Sequence, residues 1–178
     1  IRHDGTDKVT GRALYGADYY PTGLIYGKVL RSPYAHANIQ SIDTSKAEKL
    51  PGVFSIVTGN DLEDPGDDDD LKYSRNNILA ADKALYKGHA IAAIAAVNIH
   101  VAEEALSLID VQYEELEPVL TVQQAMPSTA PLLHPELLTE EMGEKTKTKS
   151  NIANHYQHKL GDIVAGFNDA DYIVEREF

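Results

Sequence analysis

The most distinct pattern in the chain is Ala90 to Val97, "AIAAIAAV", eight residues with no polar side chain. A short apolar run of this kind reads as a strand near a sheet centre, and its alanines let a helix approach closely. Asn98 follows as an N-cap, and the helical spacing predicts a helix over 99–109. Ala102, Ala105, Leu106 and Ile109 lie on one face, with Glu103 and Glu104 on the other. "VQYEEL" then returns as a strand, and Pro118 ends this strand–helix–strand unit.

Earlier segments alternate less cleanly. "GLIYGKVL", residues 23–30, reads as a strand with Leu24, Tyr26, Lys28 and Leu30 on one face; Pro33 ends it or places it at an edge. In "NIQSID", Ile39 and Ile42 cannot share a face in strict period two, which predicts a bulge or an end effect. Asp43 or Thr44 caps a short helix that Pro51-Gly52 stops, and "VFSIVTG" reads as a buried strand. Thr58 or Asn60 then caps a single turn ending near Leu62. Residues 63–76, with the aspartate run Asp67–Asp70, read as an exposed loop, because adjacent like charges resist burial.

The flanks differ in character. Residues 1–22 are broken by Gly5, Gly11 and Gly16 and read as an extended arm; Tyr15, Tyr19 and Tyr20 would anchor it on another surface. "TVQQAM" is one helical turn capped by Thr121, and 127–150 reads as a surface linker. Toward the end, "NIANHYQHKLGD" reads as a strand, Asp162 caps the short helix "IVAGF", and "DYIVEREF" reads as a last strand reaching Phe178. The expected organisation is an α/β (α+β) fold, a mixed sheet with a packed helix. It divides into an arm at 1–22, a core at 23–126, a linker at 127–150 and a strand–helix–strand at 151–178.

Composition narrows the function classes. The chain has 178 residues, 43% hydrophobic and 25% charged, enough to bury a core without staples. It has no cysteine, which removes disulfides, thiolate metal sites, iron–sulfur ligation and cysteine nucleophiles. A net charge of −12 disfavours a phosphate backbone as partner. The first residue is Ile rather than Met and the last stretch reads as a strand cut in mid-course, so a segment of a longer polypeptide is expected.

Candidate chemistry is sparse. His155 and His158 fall on opposite faces of a strand, and His3, His36, His89, His100 and His134 are scattered, which argues against a metal set. The aspartate run lacks the glycine that a calcium loop needs at its sixth place. Ser32, His36 and Asp43 contain the residue types of a hydrolase triad, but no strained "GxSxG" turn surrounds Ser32. The glycines of "YKGH" and "LGD" are isolated and make no nucleotide fingerprint. "RSPYAHA" leaves two readings. In one, Arg31 and His36 satisfy loop carbonyls while Ala35 and Ala37 allow tight packing; in the other, the segment lines a substrate approach.

Five stretches occur in order: "DGTDKVTGRALYGADY", "GKVLRSPYAHANIQSIDTSKAEKLPGVFSIVTGNDL", "LAADKALYKGHAIAAIAA", "AEEALSLIDVQYEELEPVLTVQQAM" and "GDIVAGFNDADYIVEREF". Together they resemble the α/β-hammerhead, the first domain of the molybdenum-binding subunit in the xanthine dehydrogenase and aldehyde oxidase family. The resemblance implies a structural domain of a molybdopterin-dependent hydroxylase. Such an enzyme places a water-derived oxygen on a C–H carbon of a purine, aldehyde or N-heterocycle. Electrons leave through 2Fe–2S clusters to FAD or another acceptor. The family's catalytic glutamate, glutamine-bearing glycine motif and arginine-bearing pocket lie beyond the position of Phe178. No catalytic, cofactor-binding or metal residue is therefore assigned here, and this piece alone is expected to be inactive. Implied partners are a downstream molybdenum-binding domain and the iron–sulfur and FAD domains or subunits, in the cytoplasm. A free-standing assembly or binding module of the same fold is the alternative.

Overall fold

The computed structural model describes residues 2–176, and the chain divides between Pro118 and Val119 into two compact units. The first opens with a short exposed helix, α1 (Gly5–Val9), inside the arm. Strand β1 (Tyr26–Arg31) leads to β2 (Ala37–Asp43), helix α2 (Ser45–Glu48) and β3 (Val53–Thr58). Then come α3 (Asp69–Ile78), β4 (Lys83–Ala84), β5 (Ala90–Ala96), α4 (Ile99–Leu108) and β6 (Asp110–Glu115).

Two antiparallel sheets result, ordered β1-β5-β3 and β4-β2-β6. The alanine-rich β5 occupies the centre of the first, as its apolar run predicts. The strand–helix–strand unit is not closed within one sheet: β5 belongs to the first sheet and β6 pairs with β2 in the second. The reason is packing. Ala105 and Ile109 of the α4 segment close a core with Ala92 and Ile94 of β5 and Ala47 of α2, and the chain then leaves for the second sheet. Ile91, on the other face of β5, joins Ile39, Ala80 and Ala84 in a second cluster. Leu30, Ile42 and Val111 pack against both clusters. Full burial of Ile91 contributes about 1.5–3 kcal/mol.

Local signals set the element ends. Asn98 Oδ1 accepts the Val101 N–H at 2.9 Å and starts α4. The expected irregularity in β2 is a register shift between Ile39 and Ser41. Thr58 and Asp61 cap each other across the turn Gly59–Asp61. The loop expected over 63–76 is corrected in its second half, where α3 begins inside the aspartate run. Asp68 Oδ1 accepts from the N–H groups of Asp70 and Leu71, each at 3.0 Å. Asp69 and Asp70 occupy the first turn, where free N–H dipoles favour negative charge by about 0.3–1 kcal/mol per residue. This offsets the repulsion that argued for a loop. Strand β3 is less buried than its β-branched sequence predicts: a shift between Val53 and Ser55 leaves Phe54 62% exposed.

In the second unit, Thr121 Oγ1 accepts from the Gln124 N–H at 3.2 Å and starts α5 (Val122–Ala125). Within the expected linker, β7 (Glu140–Glu141) and β8 (Glu144–Lys145) form a hairpin through Met142 and Gly143, both at positive φ. Strand β9 (Asn154–His155) joins β7 in parallel and is far shorter than the strand expected there. The Asn151 side chain bridges this unit. Its Oδ1 accepts from Leu133 N–H at 3.0 Å, and its amide donates to the carbonyls of Pro131 at 2.9 Å and Ala125 at 3.3 Å. Asp162 Oδ1 caps α6 (Ile163–Asn168) through the Ala165 N–H. The terminal strand is corrected: residues 171–176 form no strand and Tyr172 is 92% exposed, while Phe178 lies outside the described residues. A strand needs a neighbour for its N–H and C=O groups, and the described residues supply none here.

Candidate functional site

A dense polar arrangement forms the connection from β1 to β2, the "RSPYAHA" segment. Arg31 Nη1 donates to the Gly88 carbonyl at 2.9 Å. Ser32 and the 86–89 turn exchange backbone bonds: Ser32 N–H donates to the His89 carbonyl at 2.8 Å, and Gly88 N–H donates to the Ser32 carbonyl at 2.9 Å. The Ser32 hydroxyl donates to the Tyr34 carbonyl at 3.0 Å and accepts the Tyr34 N–H at 3.1 Å. At the far end, His36 Nδ1 lies 2.7 Å from the Glu117 carbonyl, and Leu116 N–H donates to the His36 carbonyl at 2.9 Å. A carbonyl only accepts, so His36 carries its proton on Nδ1 in this bond. Its Nε2 is buried without a partner among the described residues.

Arg31 and His36 thus bind loop carbonyls, as one reading of the segment predicts, and Ala37 is fully buried. Sequence reasoning missed His89, which is fully buried beside this segment. Its Nε2 donates to the Asn76 carbonyl at 2.9 Å and its Nδ1 accepts the Leu85 N–H at 3.2 Å. Both bonds suit one neutral tautomer. Tyr86 stacks on the ring with centroids 4.4 Å apart. The available sequence signal was "YKGH", where Gly88 at φ +91° permits the turn that brings His89 inward. Burial pushes the Tyr113 hydroxyl above the ordinary tyrosine range, with Tyr34 adding to the effect and a bond with Ser32 countering it.

This network holds backbone. The three triad-type residues are each engaged elsewhere: Ser32 with Tyr34, His36 with Glu117, and Asp43 with the Ser45 N–H at 2.9 Å. His155 stands in β9, and His158 follows it outside any strand. Among the described residues, no three His, Asp or Glu side chains gather closely enough to hold a metal ion. No described helix is long and apolar enough to cross a membrane. A groove of about 310 Å³, open to solvent, is lined by Ile163, Phe167, Ala170, Tyr172, Ile173 and Val174, with Gly166 between them.

Comparison with known proteins gives these residues a family. The family model of the aldehyde oxidase and xanthine dehydrogenase a/b hammerhead domain matches residues 10–117. A probable xanthine dehydrogenase subunit of Bacillus subtilis (strain 168) is 37% identical over 100% of this chain and 22% of its own length. The nicotinate dehydrogenase large molybdopterin subunit of Eubacterium barkeri is 31% identical over 98% of this chain and 38% of its own length. The crystal structure of the Cu,Mo-CO dehydrogenase superposes with a TM-score of 0.74 at 30% identity, covering 97% of this chain and 22% of that one. The chain therefore spans between about a fifth and two fifths of these relatives.

Proposed function

We propose, because the chain belongs to the aldehyde oxidase and xanthine dehydrogenase family as its a/b hammerhead domain, that it serves as a structural domain of a molybdenum-dependent hydroxylase. One observation carries this reading: relatives match the chain end to end, yet most of their own length lies outside it. The complete enzyme is then an oxidoreductase acting on a purine, an aldehyde or an N-heterocycle. The relatives' names range from xanthine to nicotinate and carbon monoxide, which supports a shared scaffold beneath different substrates.

The residues present do not fit the pterin cofactor. Such a group carries phosphate and needs convergent donors, whereas the open groove at 163–174 offers apolar side chains and a single tyrosine. The domain's part is support, with the molybdenum, iron–sulfur and flavin centres carried by neighbouring domains or subunits. A cysteine-free sequence suits that division and a reducing cytoplasmic setting. The exposed Tyr15, Tyr19 and Tyr20 of the arm, and Ile173 and Val174 near the other end, supply apolar surface for docking on the enzyme body.

The test is to express the 178-residue chain and the complete natural polypeptide side by side. Molybdenum content by mass spectrometry and turnover of xanthine, an aldehyde and nicotinate are measured for both. The complete polypeptide is expected to hold molybdenum and turn over one of them, and the short chain neither. Stoichiometric molybdenum or turnover in the short chain refutes the reading.

A further inference from the structure

The first sheet is finished on one face and open on the other. Paired residues across β1, β5 and β3 make rows. Lys28–Ile94–Ile56 and Leu30–Ala92–Thr58 lie on the side that α4 covers. Gly27–Ala95–Ser55 and Val29–Ala93–Val57 lie on the opposite side. There, Ile91 is buried at one end by the second sheet's cluster. Beyond it, Gly27, Val29 and Ser55 are exposed, and Ala93, Ala95 and Val57 are half-buried.

Two independent features say that water is not the intended neighbour. A sheet with one wet face alternates apolar and polar residues, whereas a strand covered on both sides is apolar throughout. Strand β5, "AIAAIAA", has no polar residue on either face. Gly27 is the second feature. It sits in a regular strand outside the left-handed region, and a Cβ there would meet only the Ile94 carbonyl, at 3.8 Å. No described residue requires glycine at that point, although glycine weakens a strand. A strand glycine of this kind marks the close approach of another backbone.

We propose that the face formed by Gly27, Val29, Ala93, Ala95, Ser55 and Val57 docks an apolar element of the larger subunit outside these residues. This rests on the structural-domain role proposed above. The occupant is part of the same polypeptide because most of the relatives' length lies beyond the stretch matched here. The small side chains suit bulky apolar groups or a closely passing backbone on the other side. The outer side of α4, with the exposed Glu104, stays in water.

Single cysteines report this directly. Ser55→Cys and Val29→Cys are placed on the face, and Glu104→Cys on α4 as the open reference, each in the complete subunit. Maleimide labelling is followed peptide by peptide under native conditions and again in denaturant. The two face positions are expected to label at least about tenfold more slowly than Glu104→Cys when native and equally when denatured. Equal native labelling in a molybdenum-containing subunit overturns the docking face and leaves the family role standing. Protection that vanishes on dilution assigns the face to a second copy and overturns it too. A natural polypeptide whose mass ends with this chain overturns both readings.

Discussion

Gly59→Ala should damage the first unit in a way its modest chemistry does not suggest. Gly59 is buried at the start of the turn Gly59–Asp61 and needs no left-handed backbone. A Cβ there would lie 2.7 Å from both the Ala81 nitrogen and the Leu79 carbonyl oxygen, and 2.9 Å from the Ala81 Cα. Ordinary contacts of this kind begin near 3.4 Å. The opposing atoms are backbone and cannot rotate away. They belong to a buried segment that the Ala80 N–H ties to the Ala90 carbonyl at 2.8 Å. The glycine is held from its own side as well, because Arg75 Nη2 donates to its carbonyl at 2.8 Å. Overpacking costs about 1–3 kcal/mol, and the reduced freedom of the unfolded chain returns about 0.4–1 kcal/mol, leaving a net loss of up to about 2.6 kcal/mol. Urea unfolding followed by circular dichroism measures this as a lower midpoint at unchanged slope. In the isolated 178-residue chain, where no docked element covers that face, Gly27→Ala is the internal control, since its Cβ meets one atom at 3.8 Å and should gain about 0.5 kcal/mol. A midpoint for Gly59→Ala at or above that of Gly27→Ala would refute the steric argument.

Two further outcomes follow from the caps. Asn98→Ala removes the acceptor for the Val101 N–H and should cost about 1 kcal/mol in the same urea assay, with Asn98→Asp retaining most of the stability. Asp61 accepts from the Thr58 N–H at 2.7 Å and the Thr58 hydroxyl at 2.8 Å, which hold its carboxyl below the usual carboxylate range. A depressed folded pKa means stability that is present above the unfolded value and lost as pH falls through the folded one. Thermal unfolding between pH 6 and pH 2 should therefore show a smaller acid loss in Asp61→Asn than in the parent, and identical slopes would remove Asp61 from the account.

How much was legible depended on whether the controlling forces were local. Asn98, Thr121 and Asp162 cap their helices as read, because a cap bonds an N–H two or three residues away. The irregularity in β2 was legible because Ile39 and Ile42 break a period of two. The start of α3 was hidden by its own charge: four adjacent aspartates look like a solvated loop until one of them is seen as an N-cap. The partition of β5 and β6 into separate sheets was not legible, since it turns on which distant strand each one meets. His89 was hidden for a similar reason. Its partners, Asn76 and Leu85, are linked to it only by the turn that buries it.

The contrast between polar and apolar groups in the first unit is sharpest in the "RSPYAHA" segment. Its side chains spend their donors on main-chain carbonyls: Arg31 on Gly88, Ser32 on Tyr34, His36 on Glu117. A group poised for catalysis must keep a donor or acceptor aimed at a reacting atom. The His36 Nε2 is buried without a partner among the described residues and lines neither the 163–174 groove nor the smaller one at 133–153. What the network does control is geometry. It joins the end of β1 to the 86–89 turn that feeds β5, and it pins Leu116 and Glu117, the last residues before Pro118. The same side chains thus fix both the register of the central strand and the point where the chain leaves the first unit. A domain that aligns flanking polypeptide needs fixed exits and apolar faces more than it needs a pocket, and these residues provide the fixed exit.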